Sequence, residues 1–216
     1  MAQYLKEDIQ ESISSAALTV FAHKGYSAAT MAEIGEAAGI STGNIYRYFQ
    51  DKTVLFRAVI SDEFARTFTE LIRQRVKALD GVDDVSALEM DAPYHLISEE
   101  LLGFCIENRL RVVVLLGKAK GTNHERFAEK MVQDLVKMAI AHARSIRPTF
   151  DPNETTTFSL DLVYRNFVSA MASILTRFKD EAKIREAVAG LSHYHLAGLK
   201  SFFDGAPLSS GSRVRR

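Results

Sequence analysis

Residues 30–49 read TMAEIGEAAGISTGNIYRYF, and this stretch decides the fold. Thr30 followed three residues later by Glu33 is a capping-box pattern, so a short helix opens there and stops at Gly39. A second helix begins at Ser41 and ends near Phe49, with Ile34, Ala38, Ile40 and Ile45 facing inward. Two short helices joined by a glycine turn describe a helix-turn-helix. Gly39 permits the positive φ of the turn, and Gly35 removes side-chain bulk where the helices cross. The outward face presents Thr42, Asn44, Arg47 and Tyr48, with Tyr46 beside them and Lys52 just beyond. Such groups donate to phosphates or read base edges in a major groove. The competing reading is that Tyr46, Tyr48 and Phe49 pack the small domain, and for Phe49 packing is preferred.

On either side the apolar residues recur at three- and four-residue spacing, with no alternating strand and no tandem repeat. The spacing predicts a first helix over 8–23, ending at Gly25, and a long helix capped by Asp51 that runs to Val76. An acidic loop around 80–91 follows and reads as mobile, then helices over 93–107 and 109–116, the latter apolar enough to be buried all round. Thr122 and Glu125 are expected to cap a helix to Ser145, and Asp151, Pro152 and Glu154 to open one that reaches Phe178. A last helix covers 180–203. The fold class is all-α, with about nine helices. The expected domains are 1–52, a helix-turn-helix unit, and 53–204, a larger helical unit, with 205–216 a disordered basic tail.

The chain has 216 residues, 27 basic and 27 acidic, so its formal net charge is zero. That argues against nonspecific coating of nucleic acid, which needs a broad positive field. It leaves room for a reader that concentrates a few cations on one face. Charge is segregated along the chain: 61–108 is acidic, whereas 109–147 and the tail residues Arg213, Arg215 and Arg216 are basic. Cys105 is the only cysteine, which rules out an intrachain disulfide and a multi-cysteine zinc site. The longest apolar run, Val112–Leu116, is too short to span a bilayer, and the polar Met1–Gln10 reads against a secretory signal. The expected location is cytoplasmic.

From Ile13 through Leu55 the chain resembles the N-terminal domain of the TetR family of bacterial transcriptional regulators. The matching residues are Phe21, Gly25-Tyr26, Thr30-Met31, Ile34, Ala37-Ala38-Gly39-Ile40-Ser41, Gly43, Tyr46, Tyr48-Phe49, Lys52 and Leu55. Gly35 departs from the family's usual alanine, which loosens the second helix by about 1 kcal/mol. The basic arm before the first helix is reduced to Lys6. The resemblance implies that Thr30, Tyr48 and Lys52 contact the phosphate backbone. It implies that Thr42, Gly43, Asn44 and Tyr46 face the bases, with Gly43 allowing close approach and Arg47 nearby as a guanine or phosphate donor. It further implies a homodimer on a double-stranded DNA operator, and a variable C-terminal domain that binds a small-molecule effector and dimerises.

For that larger domain the residues themselves say less. Leu160, Val163, Phe167, Met171, Ile174 and Phe178 form one apolar face, and Ile184, Val188, Leu191, Leu199 and Phe202 another, with Ala187, Gly190 and Gly198 beside it. The two helices make either a four-helix dimer interface or part of the monomer's own core, and the resemblance favours the dimer. Candidate pocket residues are Ile97, Leu101, Phe104, Cys105, Asn108, Phe127, Met131, Leu135, Met138, His142, Tyr164 and Phe167; each also fits plain core. His193 and His195 are two apart on a helix and diverge, which disfavours a shared metal. Arg109, Arg111, Lys118 and Lys120 bracket the apolar short helix. They meet an anionic ligand, or they are solvated or paired with the acidic first helix and the 80–91 loop. No phosphate-cradling glycine loop, metal-binding histidine-glutamate motif or nucleophile elbow is present. Hence no catalytic residue, metal ligand, cofactor or membrane partner is expected. Two rivals remain: an architectural or cell-cycle factor whose C-terminal domain binds a protein, and a carrier or enzyme with a vestigial helix-turn-helix.

Overall fold

In the first helix, Ile9, Ile13, Ala16, Ala17 and Phe21 recur every three or four residues, which puts them on one side of α1 (Ala2–Lys24). Ile13, Ala17 and Phe21 are fully buried there. The computed structural model describes residues 2–82 and 85–204, so the expected disordered tail lies outside the described residues. Ten α-helices and one 3-10 turn (Val85–Ala87) occur among them, confirming the all-α class. Against α1 pack α2 (Met31–Ala38) and α4 (Lys52–Val59), with α3 (Thr42–Ile45) held on α2. Phe21, Tyr26 and Phe56 form an aromatic triangle with ring centroids 5.0–5.6 Å apart. Each such buried ring contributes about 2 kcal/mol through lost water contact alone.

The expected single helix over 51–76 is two helices. Asp51 does cap its start, accepting from Val54 N at 2.8 Å, but the chain turns at Ile60 (φ −125°, ψ 82°). Ser61 then caps α5 (Asp62–Lys77) by accepting from Phe64 N at 3.1 Å, with Asp62 and Glu63 in its first turn. Ser-Asp-Glu is an N-terminus signature that the continuous apolar stripe obscured.

The rest of the chain packs as α6 (Pro93–Glu107), α7 (Arg109–Gly117), α8 (Phe127–Ile146), α9 (Glu154–Arg177) and α10 (Glu181–Asp204). Helix α7 lies among α1, α6, α8 and α9, and Val112, Val113, Val114 and Leu115 are all 2% exposed or less. That is the burial on every side expected of so apolar a helix. Its position makes it the common neighbour of the N-terminal helices and the C-terminal bundle.

Other helix starts differ from the sequence reading. Thr122 and Glu125 do not cap α8. The Thr122 hydroxyl accepts from His124 N and the Glu125 carboxylate from Gly121 N, so both stabilise the turn before it. Asn153, not Asp151, caps α9 by accepting from Thr156 N at 2.8 Å. Helix α1 starts at Ala2 instead of Asp8. Among the described residues no helix is long and apolar enough to cross a membrane.

The apolar faces proposed for dimer contact are largely consumed inside the chain. Leu160, Ile184 and Val188 are buried, and Val163, Phe167, Met171, Ile174, Phe178, Leu191 and Leu199 are half-buried. A different side of the same two helices is open, carrying Phe158, Leu162 and Tyr194, and Phe202, at the end of the expected face, is exposed as well. A helix wrapped by apolar residues on two sides shows no single stripe, so periodicity alone picks the side facing the core.

Candidate nucleic-acid interface and effector region

Thr30 sits at the N-cap of α2, where its hydroxyl accepts from Glu33 N (3.2 Å) while Glu33 accepts from Thr30 N (3.0 Å). This reciprocal cap satisfies two backbone donors that the helix leaves open. Lys24 reaches the other Glu33 oxygen, and this bond with the Thr30 amide holds the Glu33 carboxyl below its usual pKa. Gly39 ends α2 in the left-handed region (φ 70°), as the turn requires. A Cβ on Gly35 would lie 2.9 Å from the Ile40 carbonyl oxygen and 3.2 Å from Ile45 Cδ1, so the two helices approach as closely as glycine allows.

The recognition segment is shorter than expected. Ser41 caps α3, which is regular only over Thr42–Ile45. The chain continues as tighter turns, with Arg47 N donating to Asn44 O and Tyr48 N to Ile45 O. Ile45 and Phe49 are buried and anchor the segment. Thr42 and Asn44 are half-buried, and Gly43, Tyr46 and Arg47 are exposed, Tyr46 at 52%. Tyr48 is half-buried against the core. Thr42, Gly43, Asn44, Tyr46 and Arg47 therefore share one short segment, with Thr30 exposed at the start of α2.

Lys52 is placed otherwise than the sequence suggested. Its ammonium donates to the carbonyls of Tyr26 (2.8 Å) and Ala29 (2.7 Å) and lies 4.4 Å from the Tyr26 ring centroid. Two of its three protons pin the loop before Thr30, and this cation is half-buried rather than aimed freely outward.

The turn between α7 and α8 is a second connection to the N-terminal helices that the sequence did not signal. Tyr26 N donates to Lys118 O (2.9 Å) and Ser27 Oγ to Lys120 O (2.6 Å). His124, 9% exposed, meets Asp62 Oδ1 at 3.2 Å at the start of α5. Burial holds its imidazole below the usual pKa, against the opposing pull of Asp62 and the Ile60 carbonyl.

The expected pocket residues serve mainly as packing. Phe104 stacks between Phe64 and Phe68 (5.2 and 5.9 Å), and Phe68 stacks on Phe127 (6.1 Å). Cys105, Met131, Leu135 and Tyr164 are buried; Ile97, Leu101, Asn108, Met138, His142 and Phe167 are half-buried. Burial pushes the Cys105 thiol up to about 12, which leaves it unreactive at neutral pH. Two open grooves are lined mostly by other residues. One of about 710 Å³ runs between α7, α8 and α9 past Leu116, Lys118, Val132, Arg165 and Ser169. The other, about 530 Å³, lies between α5 and the start of α8, and Phe127 borders it.

Of the basic cluster, Arg109 donates to Leu175 O (2.6 Å) and Arg111 to Asn108 Oδ1 (3.2 Å), with its guanidinium 5.6 Å from the Phe64 ring centroid. Among the described residues none of the four makes an ion pair with the acidic first helix or the 80–91 loop.

A helix-turn-helix of α2 and α3, carried on α1 with α4 beside it, is the arrangement of helix-turn-helix DNA-binding domains. Residues 13–59 match the model of the bacterial regulatory proteins of the tetR family. The chain is 39% identical over 62 residues to the HTH-type transcriptional regulator AcrR of Shigella flexneri, covering 27% of this chain and 29% of that protein. It is 29% identical over 166 residues to the HTH-type transcriptional repressor AcnR of Corynebacterium efficiens, covering 76% of this chain and 82% of that one. To the HTH-type transcriptional repressor KstR2 of Rhodococcus jostii it is 27% identical over 108 residues, covering 42% and 53%. The matched regions thus span less than a third of AcrR and about half of KstR2, and most of AcnR. With the all-α architecture, these matches make residues 13–59 similar to the DNA-binding domain of the tetR-family regulators, and the longer match to AcnR extends the similarity over most of the chain.

Proposed function

We propose that the chain is a ligand-responsive repressor that binds a pseudo-palindromic operator as a homodimer and is released by a small hydrophobic or amphipathic effector. The observation that carries this is the short segment 42–47, anchored by buried Ile45 and Phe49, on which Gly43, Tyr46 and Arg47 are exposed and Thr42 and Asn44 half-buried. In this reading Thr42, Asn44 and Tyr46 face bases, Gly43 lets the backbone approach, and Thr30, Arg47, Tyr48 and the third proton of Lys52 meet phosphates. AcnR and KstR2 are named repressors, which favours repression here.

One short reading head offers too little surface for strong specificity, and a two-fold dimer doubles it. The open side of α9 and α10 supports that assembly: Tyr194 is 79% exposed, Phe158 61%, and Gly190 and Gly198 leave room for a close helix crossing. The DNA-binding unit then ends near the Ile60–Ser61 break, and the remaining helices form the effector and dimer unit. An effector that binds the two forms unequally would move α5 and the α7–α8 turn, and with them the spacing of the reading heads.

Selection of sites from a random duplex pool by the purified protein tests this. A recovered pseudo-palindrome is the expected result. Tyr48→Phe should then weaken every sequence alike, whereas Thr42→Ala and Asn44→Ala change which bases are preferred. Recovery of nothing above background from folded protein would sink the reading.

A further inference from the structure

Near the C-terminal end of α5, inside the larger bundle, sits an arginine without an acid. Arg75 donates from Nε to Ser98 Oγ (3.0 Å) and from Nη2 to Tyr94 Oη (2.5 Å), with its guanidinium 4.9 Å from the Tyr94 ring centroid. No carboxylate among the described residues lies within ion-pair distance of it. Tyr94 and Tyr164 are 3% and 7% exposed, and the His195 ring stacks on Phe167 (4.2 Å) and meets Tyr164 edge-on (5.1 Å). The charge of Arg75 bears on both Tyr164 and His195, so α5, α6, α9 and α10 converge on one cation.

A half-buried guanidinium is normally matched by a carboxylate, because neutral hydroxyls offset little of the cost of removing it from water. Here the groups it bonds, Ser98 and Tyr94, are neutral hydroxyls. Burial and the nearby Arg75 push the His195 imidazole down to about 4, and burial keeps the Tyr164 hydroxyl protonated. The Tyr94 and Ser98 hydroxyls, which now accept from Arg75, can turn to donating, and the protonated Tyr164 hydroxyl is a third donor. One fixed positive charge, three hydroxyl donors and aromatic walls fit an anion with one negative charge and an apolar body. A phosphate dianion would remain half-compensated.

We propose that the effector is a small monocarboxylate, held by a forked bond from Arg75 and supported by Tyr94, Ser98 and Tyr164. The carboxylate would replace the hydroxyls now bonded to the guanidinium. This rests on the ligand-responsive reading and assigns its effector class. Its recognition would draw α5 toward α6 and α9, and α5 is the helix that leads back to the DNA-binding unit.

The test measures binding of octanoate and benzoate, against octanamide and benzamide, to the full chain at neutral pH by thermal shift and calorimetry. The acids should raise Tm and the amides should not. Arg75→Gln should weaken acid binding roughly tenfold to a hundredfold, the usual cost of losing a charge-assisted pair. Tyr94→Phe keeps the packed ring, so it preserves the fold if Arg75→Gln does not, and it should weaken the acids several-fold. Equal binding of acids and amides, no acid binding at millimolar concentration, or undiminished acid binding in a folded Arg75→Gln protein would overturn the proposal. A neutral compound that releases operator DNA equally from wild type and Arg75→Gln would overturn it too, while leaving the ligand-responsive reading intact. Acids bound through Arg75 without effect on operator affinity would confirm the site and sink that broader reading.

Discussion

The backbone N–H of Tyr26 donates to the carbonyl of Lys118 at 2.9 Å, tying the loop before the helix-turn-helix to the end of the buried helix α7. Ser27 repeats the link one residue on, donating from Oγ to Lys120 O at 2.6 Å. Besides the packing of α1 on α7, the N-terminal unit is thus coupled to the larger bundle by the chain itself at Ile60–Ser61 and by this turn. Ser27→Ala should cost about 1 kcal/mol of stability and leave the fold intact. In the proposed regulator it should also weaken the effector response more than operator affinity. Titration of effector against preformed protein–DNA complex measures this.

Glycine positions separate folding from DNA contact. Gly35→Ala forces a Cβ to within 2.9 Å of a backbone oxygen, which cannot rotate away, so the gain in helix propensity of about 1 kcal/mol is outweighed and Tm should fall. A Cβ at Gly43 meets nothing within 4 Å, so Gly43→Ala should leave Tm unchanged or raise it. If backbone approach to DNA matters there, operator affinity alone should drop. Melting and binding curves of both variants check the contrast.

Lys52→Ala removes two hydrogen bonds from a cation to the Tyr26 and Ala29 carbonyls. It should cost roughly 2 kcal/mol of stability, besides any loss of DNA affinity. Unchanged denaturant stability would show that these bonds contribute nothing.

Acid should destabilise the chain through His195. In the unfolded chain this group titrates near its ordinary 6.5, and in the folded state near 4. Above pH 6.5 both states are neutral and no penalty arises. As pH falls from 6.5 toward 4 the unfolded state takes up the proton first, so stability is lost over that window, by about 1–2 kcal/mol between pH 7 and pH 5. His195→Phe keeps an aromatic ring against Phe167 and should flatten that part of the urea-melt pH profile. His124, also depressed by burial, contributes with the same sign and remains in the variant.

The open side of α9 and α10 should fail as an interface once charged. Tyr194→Glu and Gly198→Arg, both at exposed positions, should leave the helical signal intact and convert a dimer into monomers by sedimentation equilibrium. A dimer that survives both places its interface elsewhere.

Adjacent residues determined the parts of this protein that depend on adjacent residues. Thr30 with Glu33, Gly39, Ser41 and Asp51 act across three or four positions, so these caps and the turn were legible directly, as was the burial of Val112–Leu115. Even the break at Ser61 had a local signature, hidden by an apolar stripe that runs on through it. Tertiary structure alone decided where a side chain spends its bonds over long separations. Lys52 turns to carbonyls 23 and 26 residues away, and Arg109 to one 66 residues away. Arg75, Tyr94, Ser98, Tyr164 and His195 meet because four helices cross at one point. Helical periodicity reports which residues share a face, but not which neighbour covers that face, because crossing angles are set by packing of the whole bundle.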